Sequence, residues 1–157
     1  MRTVLMSFKP RIYEKLRSGE KIYEYRRQYC DEETMVYMYV STPVKEIKGI
    51  LHLGKRIDIL SWKNEYSYDK AAMERIDNYV KTYRYGMPVI SFQETSGIPL
   101  KQLQSDLEKF VVPQSYYYLD NYPDLLKYVT ENIEIIGDEH INSFDGVLPD
   151  NICLSYE

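Results

Sequence analysis

Three charged side chains near the start of the chain carry its most specific chemistry: Lys21, Glu24 and Arg26, just after Ser18-Gly19. Glu24 and Arg26 stand two residues apart, which puts them on one face of a regular strand. Lys21 is offset by an odd number. It sits where the chain leaves the Gly19 turn, so that twist there aims it toward the same place. Charges on a strand that helps build a core need a reason, because an unpaired buried charge is expensive. From the residues alone two readings stay open. Either Glu24 and Arg26 brace the mouth of the fold as a pair with Lys21 in solvent, or all three line a cleft that holds something polar. In a cleft, lysine binds phosphate as a point charge. Arginine makes a bidentate contact to phosphate or to a guanine edge. A Lys21–Glu24 couple could also act as base and acid once burial shifts their pKa values.

Other candidates stand further off. Lys9 adds a cation upstream, and Gln114 with Ser115 offers hydrogen-bond partners for a base or an amide. Ser7, Ser41 and Ser115 are possible nucleophiles, but neither His52 nor His140 stands in a recognisable relation to them. Cys30 and Cys153 form no CxxC or Cys/His spacing, so no metal site is expected. No cofactor is implied either.

The elements that must position these residues follow from pattern. Residues 3–9 alternate, with Val4, Met6 and Phe8 on one face and Leu5, Ser7 and Lys9 on the other, which predicts a half-buried strand. Pro10 suits the first turn of a helix over 10–18, and Gly19 stops it. Strands are predicted over 21–28, 35–40 and 44–59, with Gly49 and Gly54 as bulges or close contacts. A helix is predicted over 69–83 with Gly86 closing that stretch, then a strand over 88–94. A short helix starts at Pro99, a strand interrupted by Pro113 covers 111–118, and a helix covers 122–130. After Ile136 the chain turns acidic and is broken by Gly137, Gly146 and Pro149, which predicts loops or a weakly held extension. Strands interspersed with short helices, without strict βαβ alternation, point to a small mixed-topology barrel.

Composition narrows the partners. The 157 residues suffice for one domain with a real core. The net charge of −4 argues against an all-round basic nucleic-acid binder. The charge is uneven, however: residues 1–28 hold eight Lys/Arg against three Glu, and residues 120–157 hold nine Asp/Glu against Lys127 alone. An anionic partner would prefer the N-terminal part. Seventeen tyrosines, many alternating as in Tyr23/Tyr25 and Tyr37/Tyr39, suit a half-wet barrel wall and could also stack bases. No apolar run approaches the roughly 20 residues of a membrane span, and no signal peptide is visible, so a cytoplasmic location is expected.

The run Gly19, Lys21, Glu24, Arg26 resembles the Gly-x-Lys-x-x-Glu-x-Arg signature of the ASCH domain family, within the PUA-like superfamily. Ser7, Lys9 and Pro10 are similar to its Ser-x-Lys-Pro at the end of the first strand, and Thr42-Pro43-Val44 to Gly49 to its next segment. Ile98-Pro99-Leu100 and 112–119 resemble its longer, bacterial and archaeal regulator-like branch. The resemblance covers roughly residues 3–119 and implies an α+β fold, a PUA-like mixed β-barrel with short flanking helices over residues 1–120; residues 121–157, read as a C-terminal helix and acidic extension packed on or trailing from the same domain, have no counterpart in it. It implies a cleft beside the first helix with Lys21, Glu24 and Arg26 at or near it. It further implies association with RNA or a nucleotide-like ligand, in a role linked to transcription or translation, with Lys9, Gln114 and Ser115 as further contacts. Some small members of the family deacylate acetylated cytidine with a Lys, a Thr and a Glu, and others have been linked to RNA cleavage. Glu24 stands where the deacylating members have their Thr, so the alternative of a hydrolase resting on Lys21 and Glu24 lacks the expected hydroxyl.

Overall fold

The structure, a computed structural model, describes residues 1–156. Strand β1 (Arg2–Phe8) leads through Lys9 into helix α1 (Pro10–Arg17), with Pro10 in the first turn, where a missing amide hydrogen costs nothing. Then follow β2 (Tyr23–Arg26), β3 (Thr34–Val40), β4 (Glu46–Leu53) and the short β5 (Ile57–Asp58). Two helices, α2 (Trp62–Glu65) and α3 (Lys70–Tyr79), precede β6 (Tyr85–Gln93). After them come β7 (Ile98–Pro99), α4 (Leu100–Asp106), β8 (Tyr116–Tyr118), α5 (Pro123–Asn132) and β9 (His140–Ile141). The main sheet runs in the order β2-β6-β4-β3-β1-β8. Only β1 and β3 pair in parallel; the remaining neighbours are antiparallel.

The sheet curls until its two outer strands face each other. Arg26 of β2 donates from Nη1 to Ser115 Oγ beside β8 at 2.8 Å, and Tyr116 Oη donates to the Gln28 carbonyl at 3.0 Å. The Tyr29 and Tyr116 rings meet edge to face at 5.2 Å between centroids. The barrel is therefore closed at this seam by side chains, with no ladder of backbone hydrogen bonds between β2 and β8 among the described residues. This is the mixed α+β barrel with short helices that the sequence predicts.

Three apolar clusters hold it together. Val4, Met6, Phe8, Met38, Met87 and Phe92 fill the concave side. Leu5, Tyr37, Ile47 and Ile98 pack on the convex side against Leu103 of α4 and Val129 of α5. Tyr23, Tyr25, Trp62, Ala72, Ile76, Ile152 and Cys153 form the third cluster, which joins β2 and α3 to the C-terminal segment.

Several elements differ from their sequence patterns, each for a packing reason. β1 is buried on both faces, because α5 covers Leu5 on the side expected to be wet. The strand predicted over 44–59 ends at Leu53, where Gly54 donates its N–H to the Pro88 carbonyl, and the chain resumes separately as β5. Gly49 does mark a bulge: Tyr37 and Tyr39 pair with Ile50 and Ile47, so β4 carries one extra residue there. Gly86 lies inside β6, because the Trp62 ring packs so close that a Cβ at Gly86 would come within 2.9 Å of it. Residues 111–115 form no strand; only Tyr116–Tyr118 pair with β1. The segment after Ile136 is irregular, as its composition predicts, yet it is not weakly held. β9 pairs with β6, and Ile152 and Cys153 are almost completely buried.

Candidate functional site

The site begins at the end of α1. Gly19 takes φ +79°, a left-handed conformation that suits glycine, and its N–H bonds the Leu16 carbonyl at 3.2 Å. The chain then doubles back, with the Lys21 amide donating to the Lys15 carbonyl at 3.0 Å, and β2 begins two residues later. On β2, Tyr23 and Tyr25 face the Trp62 ring at 5.1 and 6.5 Å. Glu24 and Arg26 therefore take the opposite, concave face, where the cross-strand partner of Glu24 is the core residue Met87.

The three charges converge there. Glu24 Oε1 lies 3.4 Å from Arg26 Nη2 and Glu24 Oε2 lies 4.0 Å from Lys21 Nζ. The Lys21, Glu24 and Arg26 side chains are 8%, 9% and 17% exposed, so these are buried ions and not surface pairs. Lys21 is not in solvent: its ammonium lies 5.0 Å from the Tyr25 ring centre and 5.5 Å from that of Tyr156. The Glu24 carboxylate thus stands between two cations in a poorly solvated place.

Two polar atoms of this cluster, Glu24 Oε2 and Arg26 Nε, are buried without a hydrogen-bond partner. Native proteins pair about 90% or more of their buried polar groups, so an acceptor and a donor left over on adjacent members of one ion cluster call for an explanation. The other such atom among the described residues, Tyr13 Oη, lies in the core, where burial pushes the phenol up to about 12.

Lys21 and Glu24 open onto a cleft of about 290 Å³. Ile12 of α1 and Tyr25 complete its near wall, and Asn78, Tyr79, Lys81, Thr82 and Tyr83 form the far wall. Leu154, Ser155 and Tyr156 close one end. The tail is pinned: the Cys153 amide donates to Tyr25 Oη at 2.7 Å, and Tyr156 Oη donates to the Glu20 carbonyl at 3.0 Å. Burial raises the Tyr25 phenol far above its ordinary range and the Cys153 thiol to about 12, which keeps both neutral.

Of the other candidates, Ser115 joins the cluster through Arg26, while Gln114 beside it is exposed. Lys9 is exposed at the N-terminal end of α1 and does not line the cleft. Ser7 Oγ donates to the Pro113 carbonyl at 2.5 Å, which ties the loop carrying Ser115 to β1. His52 contacts Glu33 at 3.1 Å and His140 contacts Asn142 at 3.0 Å, so neither serves a serine. Among the described residues no group of three or more His, Cys, Asp or Glu could hold a metal ion. No helix there is long and apolar enough to cross a membrane.

Sequence reasoning missed the far wall. Tyr79 and Tyr83 read as part of the apolar stripe of the helix predicted over 69–83, which ends at Tyr79, and nothing local marks 81–83 as lining a cleft with Lys21. The tail residues 154–156 were missed as well, since their place depends on burial of Ile152 and Cys153.

Neither a protein-family model nor a curated protein sequence matches this chain. Solved structures do. The ASCH protein of Zymomonas mobilis superposes with a TM-score of 0.59 at 20% identity, covering 80% of this chain and 94% of that one. Two mutant forms of the same protein give TM-scores of 0.57 and 0.59 at 20% identity, each covering 81% of this chain. The chain has an ASCH-like fold.

Proposed function

We propose that the chain binds RNA or a nucleotide-like ligand where Lys21, Glu24 and Arg26 meet, as a binding module in a regulatory role linked to transcription or translation. The observation that carries this reading is the orphaned pair Glu24 Oε2 and Arg26 Nε within a buried ion cluster. An isolated structural ion pair would be expected to satisfy its own lone pairs and protons. A nucleotide supplies what is lacking: an N–H for the carboxylate oxygen and an oxygen for the guanidinium. Cationic and aromatic neighbours in the same cleft, Lys81, Tyr79 and Tyr83, suit a phosphate and a base.

The test is a titration of labelled single-stranded RNA at two salt concentrations. Neutralising two or three phosphates gives a log–log salt slope of roughly −1.4 to −2. The Lys21→Ala/Arg26→Ala variant, checked for folding by circular dichroism, should bind at least about tenfold more weakly. Absence of binding at low salt, or binding unchanged in that variant, overturns the reading.

A second reading rests on the unbonded Glu24 Oε2 lying 4.0 Å from Lys21 at the cleft, an arrangement that could activate water on a modified nucleoside. No threonine hydroxyl stands at position 24 to take an acyl group, so efficient release of cytidine from its acetylated form is not expected. Turnover on the order of 1–1000 per second, lost in Glu24→Gln, would put the hydrolase first.

A further inference from the structure

Beyond the cleft of Lys21 and Glu24 the surface opens into a larger groove of about 740 Å³. Four cations line it, Arg27, Arg56, Lys81 and Arg84, against the single carboxylate of Asp58. That carboxylate is engaged, since it caps the following turn by accepting from the Leu60 amide at 3.0 Å. In a chain of net charge −4 this is a local reversal of sign. The sheet brings it about. Arg26 pairs with Tyr85, and the Arg84 amide donates to the Arg26 carbonyl at 3.2 Å, so Arg27 and Arg84 follow and precede the last pair of the β2–β6 ladder at the same end of it. Arg27, Lys81 and Arg84 are exposed and have no ion-pair partner among the described residues.

The groove is also prepared. Arg56 donates to the Tyr29 carbonyl at 2.6 Å and lies 4.3 Å from the Tyr85 ring centre, with Arg84 5.3 Å from the same ring. The guanidinium of Arg56 is therefore fixed in direction before any ligand arrives, which lowers the ordering cost of binding. Lys81, Thr82 and Tyr83 line both this groove and the cleft of Lys21 and Glu24, so the two openings share a wall.

We infer that the groove is a second anion subsite that takes the phosphodiester backbone of a single strand whose neighbouring nucleotide occupies the cleft of Lys21 and Glu24. The inference rests on the nucleic-acid reading of that cleft and makes its ligand a chain of several nucleotides, with Tyr83 on the shared wall as a surface for a base. A mononucleotide would fill the cleft and leave Arg27 and Arg84 without an anion.

The experiment compares a 12-nucleotide single-stranded RNA, a mononucleotide and polyglutamate of the same charge as the RNA. They are titrated against the unaltered protein, an Arg27→Ala/Lys81→Ala/Arg84→Ala variant and the Lys21→Ala/Arg26→Ala variant. The expected result is a loss of about tenfold or more for the 12-mer in the triple variant. The salt slope should fall by about 2 in magnitude, roughly 0.7 for each phosphate released, and mononucleotide binding, which of the three positions involves only Lys81, should weaken by a clearly smaller factor. The three positions are exposed, so folding is preserved. Binding of the 12-mer lost in the Lys21/Arg26 variant but intact in the triple variant overturns the subsite and leaves the cleft reading standing. Loss in the triple variant alone removes the cleft reading and, with it, a strand shared between the two openings. Polyglutamate bound as tightly as the 12-mer, with the same loss in the triple variant, overturns a nucleic-acid strand as the occupant in favour of an acidic peptide.

Discussion

The seam of Lys21, Glu24 and Arg26 and the groove of Arg27, Lys81 and Arg84 adjoin each other in the chain and in space, yet they hold charge in opposite ways. At the seam a carboxylate sits between two cations with almost no access to water. In the groove these cations are exposed, with Arg27 and Arg84 at the same end of the β2–β6 pair. The seam's charges are bound into the structure, because removing one leaves its partner as an uncompensated buried ion. The groove's charges are nearly independent of folding, since water and salt screen them. Binding chemistry at the seam is thus coupled to stability, while the groove can be altered with little effect on the fold.

Alkali should separate the two regions most strongly. Burial raises the Tyr13 and Tyr23 phenols from an ordinary 10.0 to about 12 and the Cys153 thiol from 9.0 to about 12. Each raised value favours the protonated, folded form. The stability these groups contribute is fully present below their ordinary pKa values and is lost as pH rises through about 12. Circular dichroism should show cooperative unfolding over that window. Tyrosine ionisation with an ordinary midpoint, complete before any loss of structure, would contradict it.

Replacing one member of the seam comes next. Arg26→Met strands Glu24 and should cost about 3 kcal/mol. Adding Glu24→Gln should recover a large part of that loss, as read from urea unfolding. A single-variant cost below about 1 kcal/mol would mean that the seam behaves as a surface pair. Tyr25→Phe removes the hydroxyl that accepts the buried Cys153 amide and should cost about 1–2 kcal/mol. It should also speed amide exchange in residues 150–156, and unchanged exchange there would mean that apolar burial alone pins the tail. The smallest effect belongs to the groove. The Arg27→Ala/Lys81→Ala/Arg84→Ala variant should keep its stability to within about 0.5 kcal/mol. A larger loss would show these cations to be structural.

The seam was largely legible in the sequence, because its determinants are local. Gly19 ends a helix, β2 alternates, and Lys21, Glu24 and Arg26 lie within six residues of one another. The strand predicted over 111–118 was not, since Pro113 and the bond from Ser7 hold 111–115 as a loop while the alternating residues suggest extended pairing. Gly86 read as a helix stop because its role is set by the Trp62 ring, which no nearby residue announces. The acidic C-terminal run read as a loose extension because charge dominates its composition. Its few apolar residues, Ile152 and Cys153 among them, are the ones that the third cluster buries.

By itself the sequence determined a mixed barrel, the turn that launches β2, and the face on which Glu24 and Arg26 stand. All of these follow from periodicity and from the backbone preferences of glycine and proline, which act over a few residues. Tertiary structure alone decided that β2 and β8 meet at a side-chain seam and that residues 81–84 come to Arg27 and Arg56. It also decided that the tail walls the cleft of Lys21. Those outcomes depend on pairing between strands about sixty and ninety residues apart, where β6 meets β2 and where β8 comes round to it, and no local pattern encodes such partners.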